Sequence, residues 1–326
     1  MQDHYDPCLY TGEVRGEAAK RLFSKHVENV IVETFSRCNR SCSFCPSPFR
    51  TEHKQMDMAV FGGIVEQLAS AGYERMVCLQ GYNEPLLEKA LICEQLRTLR
   101  AKLPTAYLYF STNGDLLTRE ALQELDAIGL NRITVSVHPG ATYSDVEQFN
   151  AFHRLARKTG LRLRFSLISK GSIIRADARF GGIDIHLRSI NFSVHGANRA
   201  GLLPHIPSPT DRQAPCSRPT CDVMIGYDGN VYPCCNFVAG LPEHASWAIG
   251  SLTEGNSIFD IYAGRALAHW RKNLFIQGIK PHPCNICSMA AVDLDPSEQE
   301  RRQIFLEKAC RIERQCRKEV VLCASV

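Results

Sequence analysis

No stretch of the 326-residue sequence approaches the roughly 20 consecutive apolar residues that a membrane-spanning helix needs. No excess of one charge is present either. Lys and Arg total 38 against 34 Asp and Glu, a formal net charge of +4 with the signs mixed throughout. Nothing in that balance points to a nucleic-acid or membrane partner. The opening Met1-Gln2-Asp3-His4-Tyr5-Asp6-Pro7 has neither the basic nor the apolar region of a signal peptide, so a cytoplasmic protein is expected. Internal repeats and low-complexity tracts are missing as well. What remains is a chain 44% hydrophobic, long enough for one large domain and a smaller one.

Cysteine is the abundance, with fifteen in the chain. In a chain of this length without an export signal, metal binding or thiol chemistry is expected over a disulfide framework. Cys8, Cys78 and Cys93 scatter and read as small buried hydrophobes. The others are grouped: three at 38–45, four at 216–235, two at 284–287 and three at 310–323.

From residue 28, short β-branched or aromatic runs alternate with amphipathic stretches. Strands are expected at 30–32, 76–79, 107–110, 133–137, 163–168 and 189–194. Helices are expected from Asp57 to Gly72, over 86–100, from Thr118, and behind the capping box Ser144-x-x-Glu147. Six strands alternating with helices predict a parallel α/β sheet, a partial (β/α)6 barrel of TIM type, with its site at the carboxyl-terminal rim. The chemically interesting segments all follow strand ends. The Pro-rich 203–215 reads as a linker. Beyond it, Asp228-Gly229 between apolar runs predicts a hairpin, followed by a helix over 257–272 and a charged C-terminal helix. The expected division is therefore an N-terminal segment at 1–27, a core at 28–202, a small hairpin-plus-helix domain at 216–295, and the helix at 296–326.

Cys38-x3-Cys42-x2-Cys45 places three thiolates within eight residues. Soft thiolates suit zinc or iron–sulfur clusters. Three are one short of a closed tetrahedral site, and no histidine stands at zinc-finger spacing. An open fourth position is the mark of a catalytic centre. At these residues the chain resembles the radical S-adenosylmethionine (SAM) superfamily, with Phe44 at the family's aromatic position before the third cysteine. The resemblance implies a 4Fe–4S cluster whose fourth iron chelates SAM, and reductive cleavage to methionine and a 5′-deoxyadenosyl radical. It runs through residues 28–200. Gly81-Tyr82-Asn83-Glu84-Pro85 resembles the glycine–glycine–glutamate segment that holds the methionine amino group, with Asn83 where a second glycine is common. Ser111-Thr112-Asn113-Gly114 resembles the ribose-contacting turn, and Ser136 a polar position near SAM. Gly81, Asn83, Glu84, Ser111, Asn113 and Ser136 are thus expected cofactor contacts.

Cys216 and Cys234 with Cys284-x2-Cys287 offer four more thiolates, for which spacing alone leaves zinc and iron–sulfur both open. The run from Cys216 through Gly229, Cys234 and Cys235 to Cys287 is similar to the Twitch domain, the smaller relative of the seven-cysteine SPASM domain. That similarity implies one auxiliary 4Fe–4S cluster on Cys216, Cys234, Cys284 and Cys287. Asp293 stands where a full SPASM domain has a further cysteine, so a second auxiliary cluster is not expected. Cys316 and Cys323 share a helix face and Cys310 lies about 120° away, a poor cluster site. Cys221 reads as an alternative ligand or thiol donor. In some related peptide epimerases a cysteine at the place of Cys235 returns a hydrogen atom to the substrate radical.

A radical enzyme acting on a C–H bond of a small polar natural-product intermediate (a sugar, aminocyclitol or nucleoside) is the reading these features favour. The 27 residues before the first strand are too few for the leader-binding segment of many peptide-modifying relatives. His138 is an expected base. His195, Asn198 and Arg199 are expected substrate contacts, and flavodoxin or ferredoxin the electron donor. Modification of a ribosomal peptide, by epimerisation through Cys235 or by crosslinking, is the alternative. A non-enzymatic iron–sulfur or zinc protein is the third.

Overall fold

Four β-branched or aromatic runs form strands where the sequence predicts them. They are β1 (Asn29–Val32), β2 (Met76–Cys78), β3 (Tyr107–Thr112) and β4 (Arg132–Ser136), paired in parallel in chain order. The structure, a computed structural model, describes residues 4–139, 143–206, 211–289 and 293–323. All four residues of β1 are buried, as a strand covered on both faces requires. The intervening helices start at the predicted caps. Asp57 accepts from the Ala59 amide at 2.7 Å, Thr118 from Ala121 at 3.2 Å and Ser144 from Glu147 at 3.3 Å.

The last two predicted core strands are placed differently. β5 (Arg164–Ser169) is an exposed edge strand, and of the segment predicted at 189–194 only Ser189 and Ile190 are in a strand, as the end of one that begins at Ile183. Instead β6 (Ile173–Phe180) and β7 (Ile183–Ile190) follow β5 in an antiparallel meander, and β7 lies parallel to β4. The cause is local. Gly181 takes φ 55° beside Gly182, whose amide donates to Asp126 at 2.7 Å, making the tight Gly-Gly turn that reverses the chain. Phe192–His195 is then a single helical turn.

The second half extends the same sheet. β8 (Asp222–Ile225) pairs in parallel with β1, and β9 (Asn230–Tyr232) returns antiparallel across the predicted Asp228-Gly229 turn, with β10 (Gly250–Ser251) outermost. The sheet order is β10-β9-β8-β1-β2-β3-β4-β7-β6-β5. Six strands are parallel, as expected, but β7 and β8 take the places expected for 163–168 and 189–194. The fold class is thus α/β with a large parallel sheet. The expected helix 257–272 is two, Ile258–Tyr262 and Arg265–Phe275, separated at Gly264. The C-terminal helix Pro296–Cys323 brings Phe305 against Tyr5, Tyr10 and Phe275 at 5.1–5.8 Å. The side chains of Cys316 and Cys323 lie outside the described residues. No helix among the described residues is long and apolar enough to cross a membrane.

One buried ion pair ties four segments of this frame together. Glu33, just after β1, is fully buried and meets Arg50 at 2.9 Å. Its amide donates to Ile225 of β8, and its carboxylate accepts from the Tyr82 amide beyond β2. Arg50 lies 5.8 Å from the Tyr227 ring in the hairpin loop. Gly81 is obligatory here, since a Cβ would fall 2.8 Å from the Glu33 carboxyl carbon. Removing one partner leaves the other charge buried alone. Arg50→Met is therefore expected to cost about 3–5 kcal/mol in denaturant unfolding, and Glu33→Gln added to it to recover part of that loss. Equal stability of the single and double variants would show that the stranded carboxylate is not the source.

Candidate active site

The strand ends of β1 to β4 and β7 surround one cavity of about 360 Å³. Cys38, Cys42 and Cys45 line it from the loop after β1. Across from them stand Gly81, Asn83 and Glu84 after β2, Ser111 and Asn113 at β3, and Ser136 at β4. Phe44 stacks on Phe192 with centroids 4.0 Å apart and faces His138 at 5.0 Å, so three rings form one wall. The segments predicted separately from strand ends are brought together.

Hydrogen bonds hold these loops in register. The buried Glu84 carboxylate accepts from Thr112 Oγ1 at 2.6 Å, the Asn113 amide at 2.7 Å and the Leu86 amide at 3.1 Å. Its acid form is nonetheless favoured by desolvation, the largest influence on it. Asn83 Oδ1 takes the Gly81 amide at 3.0 Å, and its buried Nδ2 has no hydrogen-bond partner among the described residues. Arg40 clamps Asp115 bidentately at 2.7 and 2.5 Å, while Asn39 and Asn113 join at 2.7 Å. The cysteine loop is thus latched to the turn after β3.

Sequence reading missed several walls of this cavity. Tyr82 reaches from the β2 segment to donate to the Cys235 carbonyl at 2.7 Å. Cys78 is buried, as the sequence reading expected, but it also lines the cavity, as do Arg188 and Arg218. Cys78 ends β2 and was open to the strand-end rule. Arg188 lies on β7, outside the predicted strand, and had no such signal. Arg199 also lines the cavity, at φ 51°, with its guanidinium 5.4 Å from the Tyr82 ring and 3.2 Å from Asn236. A non-glycine residue in that backbone region is strained. His195 and Asn198 stay outside. His195 is exposed and meets Ser172 at 2.6 Å, whereas buried Asn198 donates to the Ile286 carbonyl at 2.9 Å.

A second, enclosed cavity of about 40 Å³ is lined by Cys216, Cys234, Cys284 and Cys287 together. Asn236 Nδ2 approaches Cys287 Sγ at 3.4 Å. After β9 the chain bends at Pro233-Cys234 and turns through Cys235-Asn236, with the Phe237 amide donating to the Cys234 carbonyl at 3.3 Å. Cys234 faces this cavity, and Cys235 faces the larger one. Arg218 borders both.

The donor chemistry suits clusters at both places. Burial pushes the Cys42 thiol up to about 11 and Cys284 up to about 12, with neighbouring thiols adding to each. Cys216 and Cys234 are also raised, mainly by burial. Crowded, desolvated thiols ionise readily only when a cation compensates them. Among the described residues no three such side chains converge on a point that would hold one metal ion. Each iron of a cluster takes one thiolate, so donors spread round a cavity meet that demand.

Residues 32–164 match the family model of the radical SAM superfamily, and residues 216–288 that of an iron–sulfur cluster-binding domain, SPASM. Among curated proteins the chain is similar to the S-adenosyl-L-methionine-dependent 2-deoxy-scyllo-inosamine dehydrogenase of Niallia circulans. The two are 29% identical over 216 residues, 66% of this chain and 74% of the relative. It is also 29% identical to the PqqA peptide cyclase of Gluconobacter oxydans over 176 residues, 53% of this chain but only 43% of that relative. Among solved structures, BtrN in complex with AdoMet and 2-DOIA superposes with a TM-score of 0.56 and 25% identity, over 76% of this chain and 87% of that one.

His138 sits in this site as a weak base. Burial first, and Arg40 second, lower its pKa to about 4 from 6.5. Between those values the unfolded chain binds more protons than the folded one, so stability rises with pH through that window and falls as pH drops. His138→Gln is expected to flatten that slope, measured by thermal unfolding of the cluster-free chain between pH 4 and 6.5. An unchanged slope would place the acid sensitivity elsewhere.

Proposed function

Because this chain belongs to the radical S-adenosylmethionine superfamily, we propose that it oxidises an alcohol carbon of a small polar metabolite of aminocyclitol, sugar or nucleoside type. The chain is a radical SAM enzyme that uses 4Fe–4S clusters and SAM. The observation that carries the proposal is the backbone step at Cys234-Cys235, whose side chains face the small thiol-lined cavity and the large one. An electron acceptor held in the first would lie directly beside a substrate in the second. The similarity to a dehydrogenase of 2-deoxy-scyllo-inosamine supports the substrate class.

Cys38, Cys42 and Cys45 would hold the first cluster, and Cys216, Cys234, Cys284 and Cys287 the second. The chemistry that bound cluster and SAM supply is reductive sulfonium cleavage and removal of a hydrogen atom from an unactivated C–H bond. The remaining work belongs to the chain. Asn83 Nδ2, an unpartnered buried donor, and Ser136 offer hydrogen bonds on the SAM side, while Phe44, His138 and Phe192 give an apolar wall for a purine. Arg188 and Arg199 bring guanidinium groups toward the substrate, and Tyr82 closes the floor. Completing the oxidation removes one hydrogen atom, one proton and one electron. His138, with its lowered basicity, is poorly matched to taking that proton near neutral pH. The division into a core at 28–202 and an auxiliary domain at 216–295 belongs to the same proposal, as do a cytoplasmic location and flavodoxin or ferredoxin as electron donor. The family matches at 32–164 and 216–288 support the division.

A second reading rests on Cys235. Burial raises its pKa and keeps it a thiol, the form that can donate a hydrogen atom. Return of hydrogen from Cys235 would make the outcome an epimerisation, on a small molecule or a peptide.

Anaerobically reconstituted protein is expected to hold iron and sulfide at about eight per chain, four for each cluster. With reductant and SAM it should release 5′-deoxyadenosine, and deuterium from the substrate should appear in that product by mass spectrometry. Cys42→Ala is expected to abolish the release; full activity in that variant would defeat the ligand assignment. Cys235→Ala separates the two outcomes. Unchanged ketone formation supports oxidation, and arrest after hydrogen abstraction supports epimerisation.

A further inference from the structure

Two cations are buried beside the four auxiliary cysteines, and among the described residues no carboxylate pairs with either. Lys280 is 3% exposed and Arg212 8% exposed. Lys280 Nζ donates to the Ile276 carbonyl. Arg212 donates to the carbonyls of Met289 at 3.0 Å, Pro215 at 3.2 Å and Ala214 at 3.3 Å. Carbonyls satisfy N–H groups but leave the charge uncancelled. Buried charges in proteins are otherwise paired or bound to metals. Neither residue has an ion-pair partner among the described residues, and both lie within electrostatic range of the Cys284 thiol, Lys280 of Cys216 as well. Arg212 also lines the thiol cavity, and its amide donates to Asn285 at 2.8 Å, between Cys284 and Cys287. Arg218, the other cation at this cavity, is already paired with Asp222 at 2.5 Å.

From this arrangement we infer that Lys280 and Arg212 are positioning residues that raise the reduction potential of the auxiliary cluster and so make it an electron acceptor. The inference rests on the reading of Cys216, Cys234, Cys284 and Cys287 as cluster ligands. A cluster on four thiolates is anionic when oxidised and gains one more negative charge when reduced. Fixed positive charge in a dry pocket therefore favours the reduced state. Hydrogen bonding to a ligand sulfur acts in the same direction, and Asn236 offers one to Cys287. The electron balance is simple. The substrate radical loses one electron and its hydroxyl proton as the carbonyl forms, and the oxidised cluster gains that electron. Neither Lys280 nor Arg212 lines the larger cavity, so they would act through the cluster's potential and not by touching substrate.

The test uses the full chain with Cys38, Cys42 and Cys45 replaced by Ala, so that the auxiliary cluster alone is loaded. Iron and sulfide are assayed, and the reduced fraction is followed by electron paramagnetic resonance during a redox titration. Lys280→Met in this background is expected to lower the reduced-to-oxidised ratio at fixed potential by about tenfold, with iron unchanged and Lys280→Arg close to the parent. An unchanged ratio in a fully loaded Lys280→Met would overturn the inference and leave the cluster assignment standing. Absence of iron and sulfide from the parent itself would instead remove the cluster assignment. Should Lys280→Met fail to load, loading of Lys280→Arg still assigns the effect to charge, and failure of both assigns it to shape and overturns the inference.

Discussion

The parallel ladder between β1 and β8 is the constraint on which both cysteine sites depend. Four register pairs, from Asn29 with Asp222 to Val32 with Ile225, lock the first strand of the core to the first strand of the C-terminal hairpin. The Glu28 and Glu33 amides lengthen the ladder at its two ends through Cys221 and Ile225. Cys38, Cys42 and Cys45 leave the end of β1, and Cys234 and Cys235 leave the end of the hairpin that β8 opens. One set of backbone hydrogen bonds therefore sets the separation between an open three-thiol site and a closed four-thiol one. The Glu33–Arg50 pair fixes the same junction from the side-chain direction.

Function follows from how charge is distributed around that junction. The large cavity is lined by the neutral polar groups of Asn83, Ser111, Asn113 and Ser136, by the Glu84 carboxylate, and by the guanidinium groups of Arg40, Arg188, Arg199 and Arg218. The small cavity has four thiols, the Asn236 amide and the Arg212 guanidinium, which has no ion-pair partner among the described residues, and Arg218, which is paired with Asp222. These are different electrostatic environments that meet at Arg218 and at the Cys234-Cys235 step. Burial raises the thiols in both, so the chain on its own holds protonated cysteines and waits for metal to ionise them. Metal loading and the final arrangement of the site are coupled in this sense, with proton release as the link.

Local signals carried most of what was legible in the sequence. The strands β1 to β4 announced themselves by β-branched runs, and Asp57, Thr118 and Ser144 by cap chemistry that depends on neighbours two or three residues away. The cysteine loop, Phe44 and the glycine segment were singled out by their resemblance to the family's motifs, and the structure places them around one cavity. The misplaced strands have a different origin. Strand–helix alternation predicted no hairpin between 168 and 189, where the Gly181-Gly182 turn reverses the chain. The β1–β8 pairing joins residues nearly two hundred positions apart and leaves no mark in either segment. Arg188, Tyr82, Lys280 and Arg212 belong to this second kind, since their importance lies in what surrounds them.

The adjacent cysteines at the end of the hairpin give the site an unusual mechanical property. Two side chains on consecutive residues are separated by a single peptide unit, whose Cα–Cα span of about 3.8 Å is set by covalent geometry. A path from one chamber to the other through that unit contains one link whose length is covalently fixed. Packing defects, mild denaturant or a shift in the outer strands would alter the shape of either chamber before they altered the gap between them. Electron exchange across Cys234-Cys235 would then be the most robust step in the molecule, and substrate placement the most fragile.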